Sequence, residues 1–195
     1  KTTLMLTGFF AYCGAQPAPK KRKKKKKEEE ALEFKAYDKA ITVRWENTIN
    51  QATVVAEGIT GEYHTYGYSS AKARAFTKLT YQQVYPGIDV SYTFNKEHQC
   101  GYEYSLIVRP GADLEKVSLL FGGDLKKIQL DEQRNLVIRS TVGTTFESAP
   151  ISYYTELNTG AGYDTISSVF TLNKQRLQFH LPNGYDHTKT LIIEI

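Results

Sequence analysis

Two aspartates stand directly after Pro-Gly turns, Asp89 in "YPGID" (85–89) and Asp113 in "RPGAD" (109–113). Carboxylates presented this way suit three kinds of chemistry. They can act as an acid and base pair on a glycosidic bond, hold a cation, or accept hydrogen bonds from turn amides and so fix the entry to the next strand. One device repeated at two separate turns favours turn support over a catalytic pair. Pro86, Gly87, Asp89, Pro110, Gly111 and Asp113 are therefore read as structural turn residues. No catalytic residue, cofactor site or metal site is assigned.

Other reactive residue types are present but not patterned for chemistry. His64, His98, His180 and His187 form no H-E-x-x-H and no Cys/His cluster, and no G-x-S-x-G elbow, Walker loop or dinucleotide fingerprint occurs. His64 and His180 fall in strand-like segments and read as packed or hydrogen-bonded, whereas His98 and His187 fall in polar turns. "GTTFESAP" (143–150) sets hydroxyls beside an acid without a nearby histidine, which is weak ground for nucleophilic catalysis. The two cysteines are Cys13 and Cys100. If the first is removed with a leader, Cys100 is alone and reads as a small apolar residue. Tyrosines are abundant, 14 in all. Tyr63, Tyr66 and Tyr68 in "EYHTYGYSS", with Tyr153 and Tyr154 in "ISYYTEL", are the aromatics that would face a sugar ring, although tyrosines on strands more often pack.

The elements that must position these residues are short and β-prone. "ITVRWE" (41–46) places Ile41, Val43 and Trp45 on one face; "ATVVAE" (52–57) and "GEYHTYGY" (61–68) follow as separate strands. "IDVSYTF" (88–94) and "GYEYSLIV" (101–108) flank "NKEHQC" as a hairpin, with Tyr102, Tyr104, Leu106 and Val108 on one face. "VSLLFGG", "KKIQLD", "NLVIRS", "APISYYTEL", "DTISSVFTLN", "RLQFHLP" and "TLIIEI" complete the series. "AKARAFTKL" (71–79) is the best helical candidate. About a dozen short strands with compact connections predict an all-β, antiparallel β-sandwich-like domain. Its closing strand, if unpaired, would be free to dock on a partner's sheet edge.

Residues 1–15 have the shape of a signal peptide: a basic start, an apolar run from Leu4 to Tyr12, and small residues at Gly14 and Ala15. The run is shorter than the roughly 20 residues that span a bilayer, so no transmembrane span is expected. Cleavage after Ala15 is favoured over lipid attachment at Cys13, and over a buried N-terminal strand. Residues 16–30 read as a disordered, charged linker holding Lys20, Lys21, Arg22, Lys23, Lys24, Lys25, Lys26 and Lys27, a block able to bind polyanions. From Ala31 onward 16 basic residues face 18 acidic ones. The domain at 31–195 thus has no nucleic-acid footprint of its own.

Taken in order, "YQQVYPGIDVSY", "YEYSLIVRPGAD", "VSLLFGG", "IQLDEQRNLVIRS", "ESAPISYY" and "LIIEI" form a pattern. It resembles the N-terminal β-rich module of large secreted bacterial proteins that carry SBBP β-propeller-type repeats, PKD-like domains or gliding-motility-type C-terminal sorting domains. The likeness covers roughly residues 60–195; residues 31–59 match poorly, and "LIIEI" stands where the pattern closes on Asp-Pro. The resemblance implies an extracellular or cell-surface chain of the Bacteroidetes, exported by a type IX system, acting as a non-enzymatic scaffold or adhesive module. It carries over no catalytic residue. Expected partners are other envelope or cell-surface proteins, then glycan; no cofactor and no nucleic acid are expected. Carbohydrate binding through exposed tyrosines and glycan hydrolysis are the competing readings.

Overall fold

The computed structural model describes residues 5–6, 40–49, 52–65, 72–94, 102–141, 143–155 and 165–195. Among them there is no α-helix. The strands are β1 (Met5–Leu6), β2 (Ile41–Trp45), β3 (Thr53–Thr65), β4 (Lys72–Tyr85), β5 (Ile88–Thr93), β6 (Glu103–Val108), β7 (Leu119–Gly123) and β8 (Leu125–Leu130). They continue as β9 (Leu136–Ser140), β10 (Thr144–Glu147), β11 (Ile151–Tyr154), β12 (Thr165–Ile166), β13 (Val169–Asn173), β14 (Arg176–His180) and β15 (Leu191–Glu194). One 3-10 turn, Leu114–Lys116, precedes β7.

All pairings are antiparallel. A seven-stranded sheet runs β12-β11-β15-β6-β5-β4-β3, a five-stranded sheet β1-β2-β7-β14-β13, and a three-stranded sheet β10-β9-β8. Alternation along each strand sends one set of side chains inward. Tyr104, Leu106 and Val108 from β6 are buried with Val90 and Tyr92 from β5 and Leu191 and Ile193 from β15. They meet Trp45, Leu119, Phe121, Leu177 and Phe179 from the five-stranded sheet, and Leu136 and Ile138 from β9, in one continuous core. This is the expected sandwich-like, all-β architecture.

Three local expectations change. Segments 52–57 and 61–68 belong to one 13-residue strand up to Thr65, bent by a register shift between Ile59 and Tyr63. The helical candidate 71–79 is extended instead: it lies in β4, paired with β3 on one side and, from Lys78 onward, with β5 on the other. The Ala, Lys and Arg content that favours a helix is a weak bias, and the ladder to β3, joined by β5 from Lys78, overrides it. The closing strand is not free, because β15 pairs with β11 and β6, and Ile195 exchanges backbone hydrogen bonds with Tyr104.

"DTISSVFTLN" changes sheets midway. Its first part pairs with β11 and its second with β14, and Ser168 Oγ donates to the Pro150 carbonyl at 3.0 Å at the corner. At the N-terminus Met5 and Leu6, inside the segment read as a signal peptide, pair with Arg44 and Val43 of β2. The linker residues 16–30 lie outside the described residues.

Candidate interaction surface

Asp89 is committed to the turns around it. Its side chain is 3% exposed, and Oδ1 accepts from Gln83 N–H at 2.8 Å and from Arg109 Nη1 at 2.9 Å. Oδ2 accepts from Arg109 Nη2 at 2.6 Å, completing a two-pronged guanidinium–carboxylate pair. Gln83 has φ +56° and sits where β4 slips register against β5, so the carboxylate satisfies the amide of an irregular residue. Gln83 Oε1 in turn accepts from Gly87 N–H at 3.2 Å, and Arg109 N–H donates to the Gly87 carbonyl at 2.9 Å. The second turn packs on the first: at Gly87, φ +74°, a Cβ would lie 2.9 Å from the Cβ of Ala112. Hydrogen bonding to Asp89 holds the Arg109 guanidinium even more firmly charged than usual.

Asp113 does a different job with the same atoms. It caps the 3-10 turn by accepting from Glu115 N–H at 3.1 Å and pairs with Lys116 at 3.1 Å. Pro86, Gly87, Pro110 and Gly111 occupy the two turns, with Gly111 at φ +76°. The two aspartates serve separate turns, each with its own cation. Sequence reading missed Arg109, although hairpin register holds the signal. Asp89 lies opposite Ile107, so Arg109 is two residues further along the same face of β6's end.

Of the tyrosines expected to face a sugar, the described ones, Tyr63, Tyr153 and Tyr154, are not gathered. Tyr63, 55% exposed, is near the end of β3 at one edge of the seven-stranded sheet. Tyr153 and Tyr154 are on β11, five strand spacings away, or about 24 Å. Being consecutive, those two point to opposite faces. Tyr153 Oη donates to Glu194 Oε1 at 2.6 Å, and Tyr154 Oη accepts from Asp186 N–H with Lys189 Nζ 5.3 Å from its ring centre. Tyr66, Tyr68, the basic residues Lys20–Lys27, both cysteines and His98 lie outside the described residues. So does the His64 side chain. His180, read as packed, is exposed at the end of β14, where alternation turns it outward from the buried Phe179.

The aromatic residues that do gather centre on the buried Trp45, Tyr92 and Tyr104, with Tyr81 partly buried and Tyr102 exposed at the margin. Trp45 Nε1 donates to Tyr92 Oη at 2.8 Å, and the Tyr92 ring lies 5.8 Å from Tyr81, 5.6 Å from Tyr102 and 6.1 Å from Tyr104. Glu147 points into this cluster from β10 and accepts from Tyr104 Oη at 3.1 Å. Burial pushes the Glu147 carboxyl up to about 7 despite that hydrogen bond, and burial raises Tyr102 to about 12 and Tyr92 and Tyr104 further. Alternating exposure along "TTFE" makes Glu147 an inward-facing charge on an edge strand, a known means of discouraging edge pairing.

A depression of about 210 Å³ is lined by Asp113, Glu115, His180, Tyr185 and His187, with the Tyr185 and His187 rings 4.1 Å apart. Among the described residues no three His, Cys, Asp or Glu side chains come together as a metal site. No described helix is long and apolar enough to cross a membrane.

The ribbon of β3 and β4 carries a run of exposed apolar residues. Every residue from Thr53 to Ile59 is exposed, although successive side chains point to opposite faces, so this stretch is solvated on both sides. Val54 (51%), Val55 (36%), Ile59 (56%) and Tyr63 leave apolar surface in water along an outermost strand. Apolar side chains grouped on a strand with an open edge are a feature of contact surfaces.

In comparison with known proteins, the model of a family described as a domain of unknown function, DUF7948, matches residues 4–194. Neither a curated protein nor a solved structure matches the chain.

Proposed function

The chain belongs to the DUF7948 family, and we propose that it is an exported, non-catalytic β-sandwich module that serves assembly, adhesion or display at a bacterial cell surface through protein–protein contact. The observation that carries this reading is the β3–β4 ribbon, which holds Val54, Val55, Ile59 and Tyr63 in solvent along an open sheet edge. The sequence resemblance to modules of large secreted Bacteroidetes proteins supports the address, as does the signal-like composition of residues 1–15. The engagement of Asp89 with Arg109 and Gln83 supports a scaffold role for the turn carboxylates.

Export is tested in the producing bacterium with an epitope placed after Ile195. Protease added to intact cells is expected to remove the epitope while a cytoplasmic marker survives. An epitope cut only after lysis would overturn the cell-surface reading.

A further inference from the structure

The open edge of β3 has a definite hydrogen-bonding pattern. Phe94 N–H donates to the Thr77 carbonyl at 2.8 Å, and the register continues with Lys78 opposite Thr93 and Leu79 opposite Tyr92. Backbone groups alternate sides along a strand. Thr77, Leu79 and Tyr81 therefore bond toward β5, and Lys78, Thr80 and Gln82 bond toward β3. Their partners on β3 are Glu57, Val55 and Thr53. Val54 and Ala56 consequently aim both N–H and C=O outward, and among the described residues no strand pairs with them there.

Open edges are usually blunted by Lys, Pro or a bulge. From Thr53 to Glu57 there is none of these. The one charged side chain, Glu57, is balanced within the ribbon by Lys78 Nζ at 3.4 Å. Regular geometry ends at Gly58, φ +64°.

We propose that this edge pairs with the same edge of a second copy of the chain, antiparallel, about a two-fold axis at Val55. The inference rests on the reading of the ribbon as the contact surface and adds the identity of the partner. In this register Val54 faces Ala56 of the second copy and Ala56 faces its Val54, so four backbone hydrogen bonds satisfy every outward group of the pair. The two Val55 side chains meet at the close-spaced position, and Thr53 lies across from Glu57 of the second copy, so no like charges are opposed. A register centred on Ala56 would need the backbone groups of Gly58, which leave the regular line. The contact uses one patch twice, so it closes at two copies and joins two seven-stranded sheets into one.

The test is sedimentation velocity on the whole chain over a concentration series. Ala56→Pro removes an outward N–H and leaves the β3–β4 ladder intact, whereas Ala56→Val keeps the N–H. Wild type and Ala56→Val are expected to dimerise with rising concentration, and Ala56→Pro to weaken the dimer by roughly tenfold or more with unchanged circular dichroism. A second measurement does not depend on how the proline is tolerated. Facing residues at the close-spaced position lie about 4.5 Å apart, within reach of a disulfide. With Cys13 and Cys100 replaced by Ser, Val55→Cys is therefore expected to cross-link two chains under mild oxidation, and Ile59→Cys is not. A chain that stays monomeric throughout, or a dimer in which Val55→Cys fails to cross-link, would overturn the inference. If such a monomer still bound the cell envelope through the ribbon, the assembly reading would stand with a foreign strand as the partner.

Discussion

Asp89 accepts three hydrogen bonds in a site that solvent barely reaches, and two come from one guanidinium. Changing it to Asn keeps the shape but removes the charge that Arg109 faces and turns one acceptor into a donor. Urea denaturation of Asp89→Asn is expected to show a loss on the order of 2 kcal/mol, since the buried carboxylate satisfies the Gln83 amide and two guanidinium donors, although Arg109 itself is partly exposed. Asp113→Asn, at an exposed cap, is expected to cost well under half of that. Glu147 sets the pH response. Its carboxyl titrates near 4.5 in an unfolded chain and at about 7 in the folded one, so folding favours the protonated form. That contribution is complete below about pH 4.5 and is lost as pH rises through about 7. Chemical denaturation is expected to show a decline on the order of 2 kcal/mol across that window, absent in Glu147→Gln. Glu147 was not legible as a buried group, because its partner Tyr104 is distant in sequence, whereas Arg109 could have been read from the register of the β5–β6 hairpin.

At the scale of elements, alternation and turn chemistry carried most of the fold. "IDVSYTF" and "GYEYSLIV" matched β5 and β6, and the Pro-Gly turns followed β4 and β6 as their types require. Alternation placed Tyr104, Leu106 and Val108 inward as expected, but Tyr102 is exposed and β5 is buried on both faces. What alternation could not reveal was the ribbon. β3 is solvated on both faces from Thr53 to Ile59, so its sequence lacks a period-two signal and reads as two pieces, and β4 begins with helix-favouring residues whose conformation is set by pairing with β3. Gly58 is the local pivot. Its φ is +64°, and a Cβ there would lie 1.9 Å from Thr77 Oγ1. Gly58→Ala is expected to disorder the ribbon while sparing the core. In hydrogen exchange the amides of β3 and the first half of β4 should lose protection, and those of β5, β6 and β15 should keep theirs. Loss of protection in all of these strands together would show that the ribbon is integral to the core.

For the whole molecule, the core buries Trp45, Tyr85, Tyr92, Tyr104, Phe121, Phe170 and Phe179, while Val54, Val55, Ile59 and Tyr63 on the ribbon are exposed, as are Phe146 and Ile151 elsewhere. Of the five tyrosines weighed for sugar contact, the described Tyr63, Tyr153 and Tyr154 share no one platform, because alternation separates Tyr153 from Tyr154 and Tyr63 lies on a distant strand. The proposed contact surface is therefore the ribbon and not a turn carboxylate. The most direct measurement is binding of the labelled chain to envelopes of the producing bacterium, comparing wild type with a variant carrying Val54→Thr, Ile59→Thr and Tyr63→Thr. These exposed changes should leave folding intact and weaken binding by roughly tenfold or more. Equal binding by both, or binding that disappears only after glycan removal, would contradict a protein-contact role for the ribbon.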